Sequence, residues 1–164
     1  SDELAKAQAE GILHRNFQGY TTQGDADLLG LGVSSISAIG NCYSQNQKEL
    51  KSYYQAIDKE QHAVDKGIVL SQDDVIRGSV IRSLMCNYYV SKHKINSQFT
   101  IDFDRYFSDD LPMLDTFIAD GLVDVNEDAI YISPKARLLV RNICMSFDVY
   151  MKQHINQQRF SRVI

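Results

Sequence analysis

Asp27-Leu28-Leu29-Gly30-Leu31-Gly32-Val33-Ser34-Ser35-Ile36-Ser37 decides how the first part of this chain folds. From Leu28 to Ser37 it is a nearly continuous run of apolar and small residues, interrupted by Gly30 and Gly32. Such a run predicts a buried parallel strand covered on both faces. Glycine weakens a strand interior, so two of them imply that a ligand or another backbone comes close. A Gly-rich loop is the alternative reading. Upstream lies His14-Arg15-Asn16-Phe17-Gln18-Gly19-Tyr20-Thr21-Thr22, in which Phe17 to Thr21 reads as a short extended piece. Asp25 and Asp27 lie just ahead of or at the start of the glycine run, where a carboxylate either orients a ligand or forms a turn.

Moving outward, residues 2–13 have a good helical composition, with Gly11 interrupting near the end. Residues 41–65 are polar and tyrosine-rich, with Leu50, Tyr53, Tyr54 and Ile57 at helical spacing. The character changes after Gly67. Ser71-Gln72-Asp73-Asp74 resembles a capping box, and Val75, Ile76, Val80, Ile81, Leu84, Met85 and Tyr88 then form a core-facing stripe. Phe99 to Phe107 is a short aromatic amphipathic segment. Ser108 is expected to cap a helix with Asp109 and Asp110 in its first turn and Pro112 tolerated early, stopped by Gly121. Leu122 to Val125 and Ala129 to Ile132 alternate around Asn126-Glu127-Asp128, which predicts a hairpin. Ser133 and Pro134 open a long last helix in the N-cap and N1 positions. The expected fold class is α+β and mainly helical. Residues 67–164 are expected to form a winged-helix-like module with a long final helix, and residues 1–66 a separate part.

At 164 residues, with ordinary hydrophobic and charged fractions, the chain is long enough for a sizeable core. A net charge of −4 argues against a general binder of nucleic acid or anionic membrane. Cys42, Cys86 and Cys144 are far apart and odd in number, which suits reduced thiols, and all three are expected to be packing residues. None has the close spacing of a zinc or iron–sulfur site. His14, His62, His93 and His154 are scattered, and no nucleophile elbow, phosphate loop or HExxH occurs. No metal ligands and no catalytic residues are expected within the chain.

The winged-helix order raises the question of nucleic acid. The candidate recognition helix carries Asp109, Asp110, Asp115 and Asp120 and no Lys or Arg, and the wing turn carries Glu127 and Asp128. Phosphates would be repelled there. The basic residues come later, at Lys135, Arg137, Arg141, Lys152, Arg159 and Arg162, and read as a solvated face.

Phe17-Gln18-Gly19-Tyr20-Thr21-Thr22, Gly30 to Ser37, Gly121-Leu122-Val123-Asp124-Val125 and Arg141-Asn142-Ile143-Cys144 occur in an order that resembles the C-terminal third of the oxygen-independent coproporphyrinogen III oxidases. These are radical S-adenosylmethionine (SAM) enzymes of haem biosynthesis. The resemblance implies that residues 1–66 are the terminal strands and helix of a truncated α/β barrel, with the C-terminal module covering its open mouth. It implies oxidative decarboxylation of two propionates of coproporphyrinogen III to vinyls, giving protoporphyrinogen IX. The implied cofactors are SAM and a [4Fe–4S] cluster held by a CxxxCxxC motif. That motif is absent here and is expected upstream of Ser1, which would leave the segment inactive alone. By the same resemblance Gln18 and Ile36 contact SAM, and Gly30 and Gly32 allow close approach. Ala136 departs from the glycine more usual after the hairpin.

The expected partners are coproporphyrinogen III and an electron donor, with no nucleic acid and no membrane. The expected location is cytoplasmic, and self-association through an exposed barrel edge is a further expectation. Arg137, Arg141, Arg159 and Arg162 are candidates for pairing with substrate carboxylates. Two other readings compete: a haem-carrying relative of the family, and a free-standing acidic winged-helix interaction module. The last predicts that residues 1–60 leave no large apolar surface uncovered.

Overall fold

The computed structural model describes residues 2–24 and 26–151. In chain order the first elements are α1 (Glu3–Ala9), β1 (His14–Asn16), β2 (Gly19–Thr21), β3 (Ile36–Ile39), β4 (Cys42–Asn46), α2 (Leu50–Asp58) and β5 (Val64–Val69). There follow α3 (Gln72–Asn87), β6 (Tyr89–Ser91), α4 (Lys92–Phe99), α5 (Phe103–Tyr106), α6 (Asp115–Ala119), β7 (Val123–Val125), β8 (Ala129–Ile132) and α7 (Val140–Cys144). Chain contacts divide it into two compact units, residues 13–75 and residues 1–12 with 76–164. The sequence reading divides the chain after residue 66.

In the second of these units a core of sixteen buried residues draws on every element from α3 to the final turns except α6, which buries none of its own residues. Ile76, Val80 and Leu84 recur four apart on α3, so one face of the helix is buried. Val90, Ile130 and Ile132 come from a three-stranded sheet in the order β6-β8-β7. The β7–β8 hairpin pairs Val123 with Ile132 and Val125 with Ile130. Gly121, at φ +64°, ends α6 as the glycine signal predicts, and the Leu122 amide donates back to the Phe117 carbonyl at 2.8 Å. α1 joins this unit through buried Ala7 and through Gln8, whose amide donates to the Cys86 carbonyl at 2.8 Å.

Three expectations for this unit are corrected. Ser108 caps no helix. Residues 107–110 form a turn, and Asp110 is buried with its carboxylate 3.0 Å from the Arg77 guanidinium. That guanidinium also donates to the Phe147 carbonyl at 3.2 Å, so the turn is drawn inward by charge. The aromatic amphipathic segment expected over Phe99–Phe107 is split between the end of α4 and α5, and α4 itself was not read from sequence. The long final helix is broken within the described residues into a 3-10 turn (Pro134–Leu139), α7 and a second 3-10 turn (Met145–Phe147). Asp148 then adopts extended backbone, and its carboxylate accepts from the Tyr150 and Met151 amides. The carboxylate thereby caps a new helical stretch that begins at Val149 and is described as far as Met151. The remainder of that helix lies outside the described residues.

In the 13–75 unit, β1 and β2 form a hairpin joined by Phe17 and Gln18. β3, β4 and β5 form an antiparallel sheet in that order. The expected parallel strand over Leu28–Ser37 is therefore corrected. Leu28 makes one isolated bridge to Ala38, the chain loops through both glycines, and regular strand begins only at Ile36. Leu29 and Leu31 are 67% and 81% exposed while Gly30 between them is buried, so the loop is covered on one side only. β4 and β5 went unread because Ser44, Gln45 and Asn46 are poor strand formers and Gly67 interrupts the apolar run. α2 matches the helical spacing of Leu50 to Ile57, yet none of its residues is buried.

Candidate functional site

Strand register determines which side chains share a face of the β3-β4-β5 sheet. Ile36, Gln45 and Lys66 form one cross-strand row, and Ala38, Tyr43 and Ile68 the next row on the same face. Phe17, from the β1–β2 turn, meets Tyr43 edge to face with ring centroids 5.1 Å apart. Together Phe17, Ile36, Tyr43, Gln45, Lys66 and Ile68 line an open, mostly apolar cleft of about 320 Å³. Lys66 is the one charged side chain on this lining. A flat heteroaromatic group suits such a wall, with the ammonium and amide available to polar substituents.

The opposite face of the sheet is built from small residues. Ser37, Ser44 and Gly67 form its central row. The glycine loop docks there. Gly30 is buried, and its amide donates to Ser37 Oγ at 3.0 Å. A Cβ at Gly30 would lie 2.7 Å from the Ile36 carbonyl oxygen, closer than real Cβ contacts come, so only glycine fits. Gly32 adopts φ +97°, a conformation that costs other residues strain. The close approach anticipated from the glycines is found at Gly30, to the backbone of Ile36; at Gly32 the nearest atom to an added Cβ is Ser35 Oγ at 3.7 Å. Asp27 accepts from the Gly40 amide at 2.8 Å, which ties it to the turn between β3 and β4 thirteen residues on; Asp25 lies outside the described residues.

Of the residues singled out from sequence, Ile36, Gly30 and Gly32 come together. Ile36 faces the cleft, and the glycines support the backbone behind it. Gln18 occupies the exposed tip of the hairpin, where its backbone amide donates to Asn16 Oδ1 at 2.8 Å. Its neighbour Phe17, not Gln18, lines the cleft. Phe17, Tyr43, Lys66 and Ile68 were missed, because a face shared by three strands is invisible until the register is known. Arg137 stacks over the Tyr88 ring at 4.6 Å, while Arg159 and Arg162 lie outside the described residues.

No group of three or more His, Cys, Asp or Glu able to hold a metal occurs among the described residues. Cys86 and Cys144 are buried, as expected of packing residues, but Cys42 is exposed at the start of β4, which corrects its assignment. The cysteines do not fit a [4Fe–4S] cluster. No helix among the described residues is long and apolar enough to cross a membrane.

Residues 70–139 match the family model described as the HemN C-terminal domain. Over 163 residues the chain is 58% identical to the oxygen-independent coproporphyrinogen III oxidase of Escherichia coli, covering 99% of this chain and 36% of that protein. It is 47% identical to the enzyme of the same name from Synechocystis over 167 residues, again 36% of its length. A solved structure, described as coproporphyrinogen III oxidase (HemN) from Escherichia coli and a radical SAM enzyme, superposes with a TM-score of 0.89. That match covers 92% of this chain and 35% of the other. The chain therefore spans about a third of the length of these relatives. In sequence and in fold the chain is similar to about a third of these oxidases, and within it residues 70–139 are similar to the HemN C-terminal domain.

Proposed function

We propose that the chain is the C-terminal part of an enzyme that oxidises coproporphyrinogen III to protoporphyrinogen IX in the cytoplasm, inactive by itself. Residues 1–66 are read as the end of the radical SAM barrel. Residues 67–164 are read as a winged-helix-like cover over the substrate. SAM and a reduced [4Fe–4S] cluster supply the hydrogen-abstracting radical chemistry; the residues here hold no cluster, and none of that chemistry is assigned to them. Their task is to bind and orient. Ile36 presents an apolar surface to the adenosine, Gln18 contributes a side-chain amide, and Gly30 and Gly32 let the loop lie close behind.

The observation that carries this reading is the apolar cleft with Ile36 in its wall, in a unit whose apolar residues remain largely uncovered. Leu29, Leu31, Val64, Ile68 and Val69 are exposed, and every residue of β5 is exposed. A free-standing module rarely leaves such surface bare, which speaks for a larger barrel around it. The winged-helix reading draws support from α3, α4 and α6 preceding the hairpin and from the strand order β6-β8-β7. Its α6 and wing carry Asp115, Asp124, Glu127 and Asp128, so the fold is read as a cover and not as a nucleic-acid reader.

The test uses a full-length oxidase carrying this segment. Ile36→Asp is expected to weaken SAM binding, measured by equilibrium dialysis, by about tenfold or more, because a carboxylate is buried against the ligand. Unchanged affinity in this variant would remove the cofactor role of the cleft.

A further inference from the structure

From the hydrogen bonds behind the sheet, we infer that Asn46 is the positioning residue of this site, holding the glycine loop so that Ile36 is presented to the cleft. The inference rests on the cofactor reading of the cleft.

Three observations meet at Asn46. Its side-chain amide donates to two backbone carbonyls at once, Gly32 at 2.9 Å and Gly30 at 3.2 Å. An NH₂ group has two hydrogens, so a single residue satisfies both acceptors. The Asn46 backbone amide donates to the Ser35 carbonyl at 2.9 Å, one residue before Ile36. Neighbours on either side complete the grip. The Gln45 side chain donates to the Ser34 carbonyl at 3.1 Å, and the Ser34 amide donates to the Gln47 carbonyl at 2.8 Å.

The face of the sheet explains why this matters at the cleft. The β4–β5 pairing shifts register between Gln45 and Asn46, so it is the bonds of the Asn46 side chain to Gly30 and Gly32, in the loop docked against Ser37, that set it on the side away from the cleft. Ser37, which accepts the Gly30 amide, is on that same side. The loop is thus pinned to the back of the sheet while Ile36 points forward. Leu29 and Leu31 are exposed, so apolar burial does little to hold the loop. Its geometry depends on hydrogen bonds, and Asn46 supplies two of them from one side chain. If the loop is released, only the fraction of molecules with Ile36 in place binds, and the apparent affinity falls by that fraction.

Asn46→Asp keeps the shape but turns an acceptor toward two acceptors. Asn46→Ala removes the donors without adding repulsion. In the full-length oxidase carrying this segment, SAM affinity is measured by equilibrium dialysis for both variants and for Ile36→Asp. Thermal midpoints are recorded alongside, and amide hydrogen exchange of residues 30–36 is followed without cofactor. The expected result is faster exchange across residues 30–36 and SAM affinity reduced about tenfold, more in Asn46→Asp than in Asn46→Ala, in protein that still melts cooperatively. If Ile36→Asp loses affinity while both Asn46 variants keep it, the cofactor reading stands and the positioning role is overturned. If the Asn46 variants only lower the midpoint, with affinity and loop exchange unchanged, Asn46 is structural and the inference is likewise overturned. If Ile36→Asp also binds normally, the cofactor reading falls and takes the inference with it. Should Asn46→Asp fail to fold, Asn46→Ala decides alone.

Discussion

Asp110 shows how one side chain departs from what its neighbourhood in sequence suggests. Next to Ser108 and Asp109 it reads as a helix-start carboxylate, yet its side chain is only 3% exposed and faces Arg77 at 3.0 Å. The guanidinium also lies over the Phe107 ring, 5.4 Å from its centroid. Removing one member of such a pair leaves the other charge in a poorly solvated place. Asp110→Ala is expected to lower stability by about 3 kcal/mol, read from the urea midpoint, whereas the double replacement Arg77→Met with Asp110→Leu recovers most of the loss. A double variant as weak as the single would mean that the charges themselves stabilise the fold. Cys144 makes the second prediction at this scale. Burial, and then the neighbouring Cys86 thiol, push its thiol from the ordinary value of 9.0 up to about 12. Between those values the unfolded chain has lost the proton and the folded chain has kept it. Stability is therefore constant on this account below about pH 9 and declines as pH rises toward 12. Cys144→Ala is expected to flatten that decline in a series of alkaline unfolding curves.

At the scale of elements, local chemistry was most legible where a single short contact defines an end. The Asp74 amide donates to Ser71 Oγ at 3.1 Å, and the Ser71 amide donates to the Asp74 carboxylate at 2.9 Å, the reciprocal box read from four residues. Ser71→Ala is expected to cost about 1 kcal/mol by thermal unfolding, and adding Asp74→Ala far less than another 1 kcal/mol, because the two share one motif. Full additivity would show that they act separately. The β7–β8 hairpin was legible for the same reason, since Asn126 Oδ1 accepts from the Asp128 and Ala129 amides inside the turn itself. β4 and β5 were not. Their residues become strands only by pairing with each other and with β3, and nothing in the tyrosine-rich stretch announces that partnership.

For the molecule as a whole, the two units differ in what holds them. One has a continuous core that includes Phe103, Phe107, Leu114 and Phe147. In the other, the buried residues are Leu13, Gly30, Ser37 and Ala63, and α2 and β5 bury nothing. Native-state hydrogen exchange on this chain alone is expected to find its slowest amides in α3, β6 and β8, with β3 to β5 exchanging quickly. The same β3 to β5 amides are expected to become slow in a full-length oxidase. Equal protection of both units in the isolated chain would show that residues 13–75 are stable without a surrounding barrel.

The sequence by itself determined the capping box at Ser71, the glycine stop at Gly121, the hairpin and the buried stripe of α3, because each depends on contacts a few residues apart. It also marked Gly30, Gly32 and Ile36 as belonging together. Tertiary structure alone decided that the glycine run is a docked loop, that Ser37 and Asn46 hold it, and that Phe17, Tyr43, Lys66 and Ile68 share a face with Ile36. Those relations follow from antiparallel register and from hydrogen bonds such as Asn46 to Gly30, sixteen residues apart. A period of two says which residues alternate along one strand, but only pairing says which strands lie side by side.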